Sequence, residues 1–127
     1  MSFSNRRPSA DTKRSLFDAF QFIEAFREMR PEMPMHMASA FLLIAMKPGI
    51  TQRELLTLSE IAQATMSRNI AALTERDRHG KPGMNLVIQR RDPMDARTLM
   101  LFLTKDGHDL VGRLIGDTVS QCETVGT

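Results

Sequence analysis

The segment from residue 51 to residue 104 constrains the fold of this 127-residue chain more than any other. Its apolar spacing predicts two short helices, followed by a linker over residues 77–85 that contains glycine and proline. A β-hairpin over residues 86–103 follows, and its tip reads RRDPMDAR. Two helices joined by a tight turn and followed by a basic hairpin make a winged helix-turn-helix. We therefore predict a mainly α-helical fold with a small β-wing.

Two local patterns set the bounds of the short helices. Thr51 and Glu54 have the spacing of a capping box, so a helix is predicted to begin there and to end near residue 58. A second helix is predicted over residues 62–76, with its core face at the helical spacing of Met66, Ile70 and Leu73. In the wing, strands are predicted over residues 86–90 and 98–103, around a turn at residues 92–95.

Further helices are predicted on both sides of this segment. Residues 10–30 contain four of the seven phenylalanines, and residues 34–46 are apolar nearly all round and are expected to be buried. A final helix is predicted over residues 105–120. We expect a single domain over residues 1–127, in which residues 34–104 form the core. The apolar stripes of the first and last helices are wider than a lone monomer tolerates, so we expect these helices to form a homodimer.

Charge is concentrated on the helix and wing segment. Residues 61–100 carry seven basic and four acidic residues, a net charge of +3, while residues 101–127 carry a net charge of −2. The whole chain has a net charge of only +2. Positive charge therefore lies where contacts to DNA phosphates would be made.

The side chains of this segment fit DNA recognition. Glutamine can pair with adenine and arginine with guanine, while serine and threonine suit phosphate contacts. Asp95 and Arg97 are two residues apart, so their side chains can meet across the turn, and an aspartate that holds an arginine lowers the entropic cost of presenting it. The alternative to DNA contact is that the helix face is only solvated and that the charged hairpin tip is only a soluble turn. The predicted DNA-contacting residues are Gln63, Thr65, Ser67, Arg68, Arg90, Arg91, Asp95 and Arg97.

Other function classes have little support in the sequence. The three histidines are scattered without partners at metal-ligand spacing, so we expect no enzyme, metal or cofactor. His36 is expected to be a hydrogen-bonded core histidine. Cys122 is the only cysteine, which excludes an intrachain disulfide. No apolar run approaches the ~20 residues of a membrane span, and the chain is expected to be cytoplasmic.

The run TQRELLTLSEIAQATMSRNIAALTE, residues 51–75, resembles the helix-turn-helix of the MarR family of bacterial transcription regulators. DPMDAR and the following LFLTKDG resemble the family's wing and the start of its next helix. The resemblance implies a homodimer that reads a palindromic site on double-stranded DNA. It also implies groove and phosphate contacts by Thr65, Ser67 and Arg68, and a wing-tip role for Arg97 supported by Asp95.

Three features depart from the family pattern. The linker is several residues longer, Ala96 stands where arginine is common, and the C-terminal region is short. They fit a reduced regulator, of the kind that phages or mobile elements carry, and we expect it to act as a repressor. The alternative is a winged helix used as a protein-interaction module, which predicts an apolar exposed wing or recognition face. A small-molecule effector stays open, although no residue pattern indicates one.

Overall fold

The computed structural model describes residues 6–75 and 80–115, which form five helices and a three-stranded antiparallel sheet. The predicted fold, mainly α-helical with a small β-wing, is confirmed. The first strand has only two residues and was not predicted. In chain order the elements are α1 (Ala10–Met29), α2 (Met35–Met46), β1 (Ile50–Thr51), α3 (Gln52–Ser59), α4 (Gln63–Leu73), β2 (Val87–Asp92), β3 (Asp95–Leu103) and α5 (Lys105–Ile115).

The core lies where α2 crosses α4 and the root of the hairpin. The helix α2 buries Phe41 and Ile44 completely, but Met35 and Met46 at its two ends are each 73% exposed. The prediction that this helix is buried is therefore confirmed for Met37, Ala40, Phe41 and Ile44 and is wrong for its two ends. The largest fully buried side chains are Phe41, Ile44, Ile50, Leu55, Met66, Leu73, Leu86, Val87 and Leu101.

Strand β1 and a capping box together fix the start of α3. Ile50 pairs with Leu101 in β3, which places Thr51 at the edge of the sheet and at the N-cap of the helix. The Thr51 hydroxyl accepts from the Glu54 amide at 3.2 Å, and the Glu54 carboxylate accepts from the Thr51 amide at 3.2 Å, so the predicted capping box is confirmed. The Lys47 ammonium group and the Thr51 amide both hold the pKa of Glu54 below its usual value.

The root of the hairpin is bonded to the end of α4. Gly83 approaches this end so closely that a Cβ atom there would lie 2.1 Å from the Thr74 carbonyl oxygen, so only glycine fits. Four successive amides donate to carbonyl oxygens at the end of α4 and just after it, and three of these are carbonyls that a helix end leaves without partners. These bonds are Gly83 to Glu75 at 2.8 Å, Met84 to Ala72 at 2.9 Å, Asn85 to Thr74 at 3.0 Å and Leu86 to Leu73 at 2.8 Å. The wing and α4 are therefore held in a fixed relation.

The helices α1 and α5 pack against each other, and α5 also contacts β3. An ion pair of 3.1 Å joins Arg113 on α5 to Glu28 on α1. The described part of α5 ends at Ile115, so the predicted extension to residue 120 and Cys122 lie outside the described residues. The helix predicted over residues 62–76 ends earlier, at Leu73, because the backbone of Thr74 is extended, and part of the linker lies outside the described residues. Within residues 6–75 and 80–115, no helix has the length and apolar character that a membrane crossing needs.

Candidate nucleic-acid interface

The helix α4 divides its side chains between the core and the surface. Met66, Ile70 and Leu73 are buried, as their spacing predicted. Of the predicted contact residues on this helix, Gln63 and Arg68 are exposed, while Thr65 and Ser67 are half-buried. The fold therefore leaves all four at least partly accessible.

Arg68 extends from α4 without an ion-pair partner among the described residues. Its Nε atom lies at 3.5 Å from the carbonyl oxygen of Ala64, one turn earlier, and the side chain is exposed. This weak contact to its own helix leaves the two terminal nitrogens of the guanidinium available. Such a guanidinium can bind a phosphate or a guanine edge in two-point fashion.

Two polar residues that the sequence patterns did not single out hold α4 in place. Gln52, the first residue of α3, donates from Nε2 to the Ser67 hydroxyl oxygen at 2.8 Å. Asn69 is 3% exposed, and its Nδ2 atom lies 2.9 Å from Nδ1 of His36. The position of Asn69 beside Ile70, three residues after Met66, was the one available sign that it lies on the core face.

The contact with Asn69 corrects the expectation for His36. The ring is hydrogen-bonded, as predicted, but His36 is exposed and is not a core residue. It lies in the first turn of α2, two residues after the N-cap Pro34. The imidazole therefore links the first turn of α2 to α4.

The turn lies at residues 92–95, as predicted, but the strands on both sides of it are longer than predicted. Strands β2 and β3 pair as far as Asp92 and Asp95, so only Pro93 and Met94 lie between the strands. The Asp92 carboxylate accepts from the Met94 amide at 2.8 Å. This local bond closes the turn and allows strand pairing to continue where the sequence pattern predicted loop. The predicted strand bounds of 86–90 and 98–103 were therefore too short at the tip.

Asp95 mainly holds the backbone and a neighbouring hydroxyl. One carboxylate oxygen accepts from the Arg97 amide at 3.1 Å, and the other accepts from the Thr98 hydroxyl at 3.0 Å. The guanidinium Nε of Arg97 lies 3.9 Å from the first oxygen, and the Arg97 side chain is 97% exposed. Asp95 and Arg97 therefore meet along one strand, not across the turn, and the guanidinium is loosely held.

The other two predicted wing arginines differ in their surroundings. Arg91 donates from Nη1 to the Ala96 carbonyl oxygen on the opposite strand at 2.7 Å, which ties its side chain across the tip. Arg90 is exposed and pairs through its backbone position with Met100. The wing thus presents one anchored arginine and two exposed ones.

Solved structures with the same arrangement are those of MarR-type transcriptional regulators. MarR itself has 20% sequence identity over 86% of this chain and 74% of its own, with a TM-score of 0.58. CouR, a transcriptional repressor bound to a 23-mer DNA duplex, has 25% identity over 83% of this chain and 67% of its own, with a TM-score of 0.57. The transcriptional regulator Tm0710 from Thermotoga maritima has 16% identity over 90% of this chain and 73% of its own, with a TM-score of 0.65.

The chain has the MarR-like winged-helix fold. The resemblance predicted from the sequence is therefore confirmed for the fold. No protein-family model matches the sequence, and no curated protein matches it closely enough to identify a relative. In the MarR-like fold of this chain, α4 occupies the place of the second helix of the helix-turn-helix, and β2 and β3 form the wing.

Proposed function

We propose that this protein is a transcriptional regulator that binds double-stranded DNA as a homodimer and acts as a repressor by occupying its operator. The observation that carries the proposal is the rigid union of α4 with an arginine-bearing wing through the four amides of residues 83–86. A helix and a hairpin that keep a fixed relation can enter a major groove and the neighbouring backbone or minor groove together. No chemistry on the DNA is required, so the protein is not proposed to be an enzyme.

The proposed contacts divide into two sets with different tasks. On α4, Gln63 and Arg68 would read base edges, because their side chains are exposed and carry the donors that adenine and guanine match. Thr65 and Ser67 are half-buried and would contact phosphates. On the wing, Arg90, Arg91 and Arg97 would reach the backbone or a minor groove, where positive charge is attracted by the negative potential of the DNA. Asp95 would support the wing tip.

The proposed dimer rests on α1. Four apolar side chains on this helix are between 46% and 58% exposed, which is more than an isolated helix face of a monomer usually leaves in water. A two-fold axis through such a contact would place two copies of α4 about one DNA turn apart, ~34 Å, and would match an inverted repeat. The exposed side chains are Leu16, Phe17, Phe20 and Ile23. The single cysteine and the proposed DNA partner make the cytoplasm the proposed compartment.

A salt titration with duplex DNA tests this proposal. We expect the whole protein to bind a random-sequence 30-base-pair duplex, with an affinity that falls steeply as the salt concentration rises, because phosphate contacts release counterions. Repeated selection from a pool of random duplexes should then yield sites with inverted symmetry. An affinity that barely changes with salt contradicts phosphate binding. Selected sites without inverted symmetry contradict the dimeric reader.

A protein-interaction module is the second candidate, and the apolar residues of the wing favour it. Met94 at the tip is 92% exposed, and Ile88 and Leu99 on the strands are partly exposed as well. Ile88 pairs with Phe102 and Leu99 pairs with Arg91, so Ile88 and Leu99 lie on opposite faces of the hairpin and form no continuous apolar patch of the kind that marks a protein contact. The same titration separates the two candidates, because a protein-interaction module does not bind random DNA in a salt-dependent way.

A further inference from the structure

Gln52 joins the first turn of α3 to the surface of α4 that we propose faces DNA. Its amide nitrogen donates to the Ser67 hydroxyl oxygen at 2.8 Å, across 15 residues of sequence. Both side chains are half-buried, so the bond is partly shielded while each partner stays accessible. This placement gives Gln52 direct influence over a hydroxyl that is a proposed phosphate contact.

The Ser67 hydroxyl differs from two hydroxyls on α3 in whether it donates a hydrogen bond within the protein. Thr57 and Ser59 on α3 donate to the carbonyl oxygens of Arg53 and Leu55, one turn earlier, at 3.1 and 2.6 Å. This is a common local partner of a helical hydroxyl. Among the described residues, Ser67 donates to no oxygen, and its own oxygen is occupied by the amide of Gln52. Its hydrogen is therefore left for a partner outside the protein.

We infer that Gln52 is a positioning residue, which makes the Ser67 hydroxyl an outward hydrogen-bond donor for a DNA phosphate oxygen. This inference rests on the proposed function of α4. Phosphate oxygens only accept hydrogen bonds, so the contact requires a donor on the protein. A hydroxyl that accepts one bond also donates more strongly in the next, because successive bonds polarise each other. Without Gln52, the hydroxyl can turn to the Gln63 carbonyl oxygen, as the hydroxyls of α3 do.

A double-mutant cycle tests the inference. The affinity of the wild-type protein, Gln52→Met, Ser67→Ala and the double variant would be measured on one duplex at one salt concentration. Each single substitution should weaken binding about two- to tenfold, the range expected for one hydrogen bond. The double variant should have the same DNA affinity as whichever single variant binds DNA less tightly, because both substitutions remove the same contact. Urea unfolding of each protein measures stability separately.

Two further variants make the test specific. Ser67→Thr keeps a hydroxyl, so it should bind DNA like the wild-type protein when Gln52 is present and should lose that affinity in the Gln52→Met background. Thr57→Ala removes an exposed hydroxyl on α3 that is already bonded to its own helix, and it should leave the affinity unchanged. This control shows that the loss does not come from any polar change on α3.

The outcomes separate this inference from the proposed function. Losses that multiply in the double variant would mean that Gln52 contacts DNA on its own, and they overturn the inference. An unchanged affinity of Gln52→Met overturns it as well. If the two positions are coupled in the free energy of unfolding but not in DNA affinity, the bond only stabilises the fold, and the inference is overturned. Failure of the wild-type protein to bind any duplex overturns the proposed function and the inference together.

Discussion

The helices α1 and α4 are both amphipathic, yet they turn opposite faces to the solvent. On α4 the apolar face is buried, with Met66, Ile70 and Leu73 at most 2% exposed, and the polar face is accessible. On α1 only Ala25 and Phe26 near the C-terminal end are buried, and the apolar stripe before them is open. Helical spacing tells which residues share a face, but it does not tell what covers that face.

This difference determines the kind of partner that each helix fits. Burial of a phenylalanine or leucine side chain contributes about 1.5–3 kcal/mol, so the open stripe of α1 favours an apolar surface such as a second copy of itself. The open face of α4 has polar and cationic groups, for which a phosphate backbone and base edges are suitable partners. One helix is thus suited to assembly and the other to a polyanion.

Charge placed on α1 should have the largest effect. Phe17→Glu with Phe20→Glu puts two carboxylates into the proposed dimer contact, where they would be desolvated without partners. We expect a monomer in sedimentation velocity at micromolar concentration. Operator affinity should fall about 100-fold or more, because the second half-site is no longer bound in the same complex.

Ser15→Glu is the matched control for this variant. Ser15 is exposed on the same helix but lies off the apolar stripe, so one added carboxylate there should leave both dimerisation and DNA affinity intact. A double variant that stays dimeric would show that the stripe of α1 is not the dimer contact. The conclusion that α1 is suited to assembly would then be wrong.

The residues that the sequence predicted well are those with short-range causes. The capping box at Thr51 and the core face of α4 depend on spacing within one helix, and both are confirmed. Strand β1 was missed because two residues are too few for any alternation, and its pairing with Leu101 depends on contacts about 50 positions away. The exposure of His36 was missed because an apolar composition does not show where a helix leaves the core.

Helix α1 packs against α5, and α4 is bonded to the root of the hairpin. These two regions meet at Gly107, at the start of α5. A Cβ atom there would lie 2.2 Å from the Leu86 carbonyl oxygen and 3.1 Å from the Leu103 side chain. Gly107→Ala should therefore lower the free energy of unfolding by about 1–3 kcal/mol, because the hairpin root must shift. Urea unfolding measures the loss.

Gly112→Ala on the same helix is the control for this prediction. Apart from its chain neighbours and the backbone of its own helix, no described atom lies within 4 Å of a Cβ atom at this position, so alanine should be accommodated and should raise helix stability by about 0.5–1 kcal/mol. Opposite signs for the two substitutions would confirm that the close approach at Gly107 matters. Equal effects would contradict a rigid joint between α5 and the wing.

Loss of a wing arginine should have a smaller effect, confined to DNA binding. Arg97→Ala should weaken binding and should reduce the slope of log affinity against log salt by about one unit for each lost phosphate contact. Arg14→Ala removes the same charge from α1 and should leave that slope unchanged, since this helix is not proposed to touch DNA. Equal changes in the two variants would show that only net charge matters.

The wing tip also shows how far the candidate site could be predicted. The residue types and their order indicated a basic hairpin, and the spacing of Asp95 and Arg97 indicated that they lie close together. The sequence could not show which donor the carboxylate prefers, because a backbone amide is present at every position. In the structure the Arg97 amide and the Thr98 hydroxyl take the two oxygens, which leaves the guanidinium extended.

Asp95→Ala should have the smallest effect and is the most discriminating test of the wing. Removal of a negative charge from a DNA-facing surface should tighten binding if charge alone decides. We expect binding to weaken about two- to tenfold instead, because the bonds to the Arg97 amide and the Thr98 hydroxyl are lost and the Arg97 guanidinium is presented less often in one orientation. Asp95→Asn removes the charge but keeps an acceptor for the Arg97 amide, so it should bind at least as tightly as Asp95→Ala. The affinities of the wild-type protein and the two variants for a selected duplex are compared, and a thermal unfolding curve of each protein shows whether it is folded. Tighter binding by a folded Asp95→Ala protein would contradict the supporting role of this carboxylate and would leave a wing that acts only through its net charge.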